Sequence, residues 1–376
     1  MMDFSKILDA RAFLAGVLLS FAGLSVAGWL ATKENLFPDF HRSHQNIGAE
    51  TQFYPTAREL VALVREKLLP DKISVIVAGS SVMRGGGQSQ HDLWSSNLQK
   101  ELGDKFQVLN LAVNAGGPGG QGLYMAEWLA KQGGKVIFIS DISIVGVGIT
   151  ADNGPTYRGF FFDAERRGYL DHFPERTAHV FEVLRASDSS LLTEHRIKAY
   201  LNSYFNFNDL WTAIGYRYFF TVWSPLTLDK PWGPRGILPD TEPNCDPVNR
   251  YKNFFNEEMN IMRGFTNTKP LGEEVGHAVN ATIPTQMRPR IIFVLNRYSP
   301  YYVGKLNAVE KNQYILNIEK MASKYQNLGI TSVAIAPAYL AEDFCDRAHF
   351  SYSGGQKLAA SLAPYVKQKA KELGYE

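Results

Sequence analysis

"VIVAGSSVMRGGG", residues 75–87, is the stretch on which the fold turns. Its apolar run, with Ile73 at the front, reads as a strand over 73–78 buried on both faces. Gly79 ends it, Ser80 and Ser81 stand at its carboxyl end, and Gly85, Gly86 and Gly87 follow. Ser-Ser at a strand exit is commonly a turn or a helix N-cap. It is also where a parallel sheet can present a serine to a ligand, because ligands bind outside the carboxyl ends of such strands. The neighbouring elements decide between these readings.

Strands and helices alternate on either side of this stretch. "ARELVALVREKLL" (57–69) carries Leu60, Val61, Val64 and Leu68 on one helical side. "HDLWSSNLQKELG" (91–103) reads as a helix, with Asp92 a candidate N-cap and Gly103 a terminator. A strand at 106–113, a helix at 122–134 and a strand at 135–140 follow. The alternation breaks for about 140 residues, through a mainly helical 174–223 and a Pro-rich 224–248. It resumes with strands at 290–296 and 331–337 and helices at 305–328 and 353–373. The pattern predicts an α/β three-layer sandwich with a central parallel sheet. A large, mainly helical insertion at about 150–288 follows its third strand.

The N-terminal stretch "AFLAGVLLSFAGLSVAGWLA" (12–31) is uncharged and apolar over the roughly 20 residues a bilayer-crossing helix needs. It predicts a transmembrane anchor within residues 1–34, a polar linker over 35–56 and an α/β domain over 57–376. "SVA" at 25–27 leaves a cleaved secretory signal as the alternative. Either reading places the domain outside the cytoplasm, and the anchor would hold it on the outer face of the inner (cytoplasmic) membrane; a buried helix of a soluble protein is the third reading. A net charge of +2 without a long basic run argues against nucleic-acid binding. Cys245 and Cys345 are the only cysteines, either bridged or two thiols, and neither they nor the histidines show zinc-ligand spacing.

A second stretch, "DRAHFSYSGG", places Asp346 and His349 just before the last helix. A serine hydroxyl needs a base to take its proton, and an imidazole needs a partner to fix its tautomer. Ser81, Asp346 and His349 supply nucleophile, orienting acid and base in that chain order. These motifs resemble the SGNH (GDSL-like) hydrolases. Gly79-Ser80-Ser81 aligns with their first block, Ser81 falling in the nucleophile slot. Asp346, His349 and Gly354 align with their last block. "NLAVNAG" (Asn110 to Gly116) approximates their second block, with Ala115 on the family glycine and Gly116 next. Ser80 replaces the first-block Asp. "ISDISIVG", containing Asp141 and Ser143, stands where Gly-x-Asn-Asp is expected. The resemblance covers about 73–145 and 290–370.

The resemblance implies a flavodoxin-like sheet and acyl-ester chemistry. It implies an oxyanion site built from the Ser81 N–H and the N–H of Ala115 or Gly116, with Asn114 or Asn153 in place of the missing Asn. Ser80 and Arg84 complete the candidate substrate-binding set. Gly-Ser-Ser behind an anchor is similar to proteins that help O-acylate surface polymers, such as those of alginate acetylation and teichoic acid D-alanyl transfer. That similarity implies a polysaccharide substrate, a membrane-bound acyltransferase partner, and neither cofactor nor metal. Water as acceptor makes an esterase, and a sugar hydroxyl makes an O-acyltransferase. A non-enzymatic glycan-binding or assembly subunit on the same shell is the alternative.

"GPGGQG" (117–122) with Asp141 further on also meets the local dinucleotide-binding fingerprint, which would make an oxidoreductase; the preferred reading is a Gly-rich loop that lets substrate approach the backbone near the oxyanion site. The aromatic-rich 204–223 reads as a packed face or a sugar-stacking surface. "HRSH" (His41, His44) reads as linker or as a weak metal candidate.

Overall fold

The computed structural model describes residues 10–31, 45–46, 52–53, 57–67, 69–88, 93–113, 116–141, 158–169, 256–264, 282–335 and 338–376, and isolated positions between 193 and 210. Helix α1 (Ala10–Ala31) comes first. A two-stranded antiparallel pair, β1 (Gln45–Asn46) and β2 (Gln52–Phe53), lies in the segment expected to be plain linker. After α2 (Ala57–Lys67) the alternation runs β3 (Ile73–Ala78), α3 (Ser81–Arg84), α4 (Trp94–Leu102), β4 (Phe106–Asn110), α5 (Gln121–Lys131) and β5 (Val136–Asp141). Helix α6 (Arg158–Arg166) belongs to the insertion. The sheet resumes with β6 (Ile291–Val294), then α7 (Pro300–Val303), α8 (Ala308–Asn327), β7 (Thr331–Val333) and α9 (Tyr352–Glu372).

Five strands form one parallel sheet in the order β4-β3-β5-β6-β7. Alternate side chains explain the three layers. Ile76, Ala78, Phe138, Ile291 and Phe293 face a core shared with α2, α5, α6 and α8. Val75, Val77, Ile137, Ile139, Ile292 and Val294 face the opposite core, shared with α4 and α9. Period-two alternation of two apolar sets is what a sheet covered on both faces requires.

The strand order places the site. From β3 the chain moves outward to β4, then crosses back to pair β5 on the other side of β3. A crevice opens at the carboxyl ends where the winding reverses, between β3 and β5. Gly79-Ser80-Ser81 leaves β3 at that point, and Asp141 ends β5 beside it. Helix α9 packs chiefly against α4, which brings the loop before α9 back across the sheet from β7.

The observed elements match the expected ones within a few residues, with two physical differences. Strands expected at 106–113 and 331–337 end at Asn110 and Val333. Beyond Asn110 the chain continues as a loop, where Leu111 N–H still reaches the Val77 carbonyl at 2.7 Å. Helix α4 starts at Trp94 rather than 91, and the Gln88 side chain accepts its first N–H at 2.9 Å. Asp92, the expected cap, lies outside the described residues. So do most of the insertion, the Pro-rich segment, His41, His44, Asn153 and most of 204–223. The insertion's described stretches, α6 and 256–264, are helical.

Helix α1 holds one span, Ala10–Leu30, long and apolar enough to cross a membrane. Phe13, Leu14, Leu18 and Leu19 on it are exposed. Its far end touches the rest of the protein through Phe21, whose ring lies 5.5 Å from that of Phe205, and through the Trp29 carbonyl.

Candidate active site

The turn after β3 is built around Gly79. Its φ is +113°, a conformation L side chains rarely adopt, and a Cβ there would run into the Asp141 carboxylate. Glycine therefore lets β5 bring Asp141 directly beneath the turn. Ser80 follows as N-cap of the short helix α3, its hydroxyl accepting from Val82 N–H at 3.2 Å. Ser80 also donates twice to Asp141: its N–H to Oδ1 at 2.8 Å, and its hydroxyl to Oδ2. Ser81 is then the first residue of the helix, so its own N–H has no acceptor within the helix. Gly85, left-handed at φ +86°, closes the helix after one turn.

The loop before α9 is equally constrained. Phe344 and Phe350 form an antiparallel bridge, and Cys345 N–H donates to the His349 carbonyl at 2.8 Å. Inside this loop Asp346 Oδ1 accepts the N–H groups of Ala348 and His349 at 2.9 and 2.8 Å. Its Oδ2 lies 2.7 Å from His349 Nδ1. Ser351 caps α9. Gly354 is needed there, because a Cβ would enter the Asp343 carbonyl.

The two loops meet although their residues stand 268 positions apart: Ser81 Oγ lies 2.7 Å from His349 Nε2. Contacts on either side hold them together. The buried Gln88 amide donates to the Ser351 carbonyl at 3.1 Å. Gly87 lies against Cys345, and a Cβ on Gly86 would sit 2.8 Å from His349 Cδ2. The glycine run thus gives the imidazole and the Cys345 loop room to approach. Cys345 is disulfide-bonded, and the chain's only other cysteine, Cys245, lies outside the described residues.

The electrostatics assign the protons. Burial alone would raise the Asp346 carboxyl, but the ring and backbone bonds of His349 and the Ala348 N–H overcome it and hold the group below the usual carboxylate range. An ionised Asp346 only accepts, so Nδ1 carries the proton and Nε2 is left to accept from the Ser81 hydroxyl. Asp141 shifts the opposite way. Burial raises it, and the bonds from Ser80 offset only part of that. Asn296, at the exit of β6, adds an amide contact to Asp141 Oδ2 at 3.4 Å.

Ser81, His349 and Asp346 are brought together, and four other expected site residues have different places. Ser80 spends both donors on Asp141, so it holds the turn instead of offering a group to substrate. Gly116 N–H donates to the Val113 carbonyl at 3.0 Å, which removes it as an oxyanion donor in this conformation. Arg84 is buried in the last turn of α3, not displayed on the surface. Asp141 points under the Gly79-Ser80 turn and is buried, which denies it to a ribose. The "GPGGQG" strand, β4, is also separated from β5 by β3, whereas the fingerprint needs its acid on the next strand of the sheet. Gly122 packs α5 on β3, where a Cβ would lie 2.5 Å from that of Ala78. Asn114 and Ala115 lie outside the described residues.

Gln88 and Asn296 were not legible as site residues, since single polar residues next to a glycine run or ending an apolar strand carry no distinctive pattern. Among the described residues no group of three metal-ligating side chains occurs. Comparison of the chain with protein-family models, curated proteins and solved structures found no significant match.

Proposed function

We propose that the protein is an SGNH-like, serine-dependent acyl-ester hydrolase or O-acyltransferase. Its domain lies outside the cytoplasm, tethered to the inner membrane by α1, and it acts on O-acyl groups of a surface or secreted polysaccharide. The observation that carries the proposal is the relay Ser81 Oγ–His349 Nε2 at 2.7 Å and His349 Nδ1–Asp346 Oδ2 at 2.7 Å. His349 takes the Ser81 proton as Oγ bonds to the ester carbonyl carbon. Asp346 stabilises the imidazolium that results. The same proton passes to the leaving alkoxide, and an acyl-serine remains. Water or a sugar hydroxyl then gives its proton to His349 and takes the acyl group, restoring Ser81. The Ser81 N–H at the start of α3 is placed to meet the oxyanion.

The polysaccharide and a membrane-bound acyltransferase partner rest on the sequence resemblance and on the apolar helix. One observation favours the second reading, a glycan-binding subunit without turnover. Where the SGNH pattern expects an amide donor, the end of β5 carries the Asp141 carboxylate. A chromogenic acetate ester separates the two. Turnover by the wild type that falls at least about 10³-fold in Ser81→Ala supports the enzyme. No turnover, with glycan binding intact in both proteins, supports the subunit.

A further inference from the structure

The insertion touches the loop that carries Asp346 and His349. Glu258, in the helical stretch 256–264, places Oε2 2.5 Å from Arg347 Nε. Arg347 follows Asp346 directly, within the turn that Asp346 Oδ1 closes onto Ala348 and His349. The Glu258 and Arg347 side chains are only 22% and 19% exposed, so water screens the pair only in part.

Both partners are fixed from behind. Met259 and Met262 bury the 256–264 stretch in the core shared with α5 and α8. Arg263 Nε lies 3.5 Å from Oε1 of Glu310, in the first turn of α8. On the other side, Arg347 lies over the Tyr298 ring at 4.8 Å, and its carbonyl accepts from Ser299 N–H at 2.8 Å. Tyr298 and Ser299 lead from β6 into α7. Arg347 therefore joins three segments: the insertion, the exit of β6 and the loop before α9.

Charge gives the pair a second role. Arg347 also attracts Asp346, so two carboxylates share its charge. Without Glu258, that charge would act on Asp346 and His349 alone and would disfavour the imidazolium. The neighbouring groups leave this balance in place. Burial raises the hydroxyls of Tyr298 and Tyr314 and keeps them neutral, Arg297 faces Tyr314, and Asp141 faces His349 from β5. We propose that Glu258 is a positioning residue for the Ser81 chemistry: through Arg347 it seats the Asp346–His349 pair and offsets the positive charge beside it. This role deepens the serine-dependent reading and rests on it.

Nuclear magnetic resonance titration of the histidine Cε1–H signals tests it, on the selectively labelled full chain in detergent. The His349 signal is the one lost in His349→Gln. Glu258→Gln should move the His349 midpoint down by roughly 0.2–0.7 pH unit, the size of one partly screened charge pair. Arg347→Gln should move it up, and the double variant should lie between them. A loop that merely loosens would weaken the Asp346 contact in both variants and shift both midpoints the same way. Midpoints that move in the same direction, or that stay where they are, overturn the proposal. Should Arg347→Gln fail to fold, Glu258→Asp decides: a midpoint lowered by Gln and kept by Asp supports the role, and any other result overturns it. The titration needs no turnover, whereas ester hydrolysis by wild type and Ser81→Ala tests the serine itself, so the failure of one is told apart from the failure of the other.

Discussion

At the scale of single residues, two carboxylates within one site are driven in opposite directions. Asp346 gains bonds from His349 and Ala348 and is held ionised, whereas Asp141 is buried and pays for its charge with little beyond Ser80 and Asn296. The linkage signs therefore differ. The Asp346 contribution is present above the unfolded carboxylate range, near pH 4, and is lost as pH falls through its lowered folded value. The Asp141 contribution is present below that range and is lost as pH rises through its raised folded value. The stability difference between Asp141→Asn and wild type should consequently move in favour of the variant as pH rises above the ordinary carboxylate range. Thermal melts of both proteins from that range upwards check it, and a stability difference that moves in favour of wild type with rising pH contradicts the shift. Gly86→Ala should displace the imidazole, since its Cβ has only 2.8 Å to His349 Cδ2 and 3.1 Å to the Ser81 carbonyl. Ester turnover should fall by about 10²-fold, as expected for a misplacement near 1 Å, with the melting temperature the control.

At the scale of elements, the long periodic segments were legible and the short turns were not. Strands β3 and β5 and helices α8 and α9 followed from apolar runs and helical spacing, because their signal repeats over many residues. Helix α3 has one turn, and nothing periodic announces it. Its cause is local: Ser80 caps it and a left-handed Gly85 stops it. Ser81, His349 and Asp346 were legible because two motifs sat at the right ends of the alternation. The use of Asp141 was not, since only the strand order shows that β5 runs beside β3 and delivers that carboxylate under Gly79. The same register explains Gly122, the last glycine of the "GPGGQG" loop, which seats α5 on β3. Gly122→Ala should cost roughly 1–3 kcal/mol through overpacking. Denaturant unfolding measures this, and a neutral effect would mean that α5 can move away from Ala78 freely.

At the scale of the whole molecule, α1 and the α/β domain predict where the chain resides and how it works. With α1 in a bilayer, the full chain should stay with membranes through high-salt and alkaline carbonate washes and should leave them in detergent. Release by carbonate alone would remove the anchor from the account. The central claim is that folding carries the loop before α9 across the sheet, so that His349 activates a serine 268 positions away. A serine-directed phosphonate tests that most directly, with the adduct located by peptide mass spectrometry. The account predicts one adduct on the peptide holding Ser81, formed by the folded wild type and lost in both Ser81→Ala and His349→Gln. Equal labelling of wild type and His349→Gln, or no labelling of Ser81 in the folded protein, would contradict it.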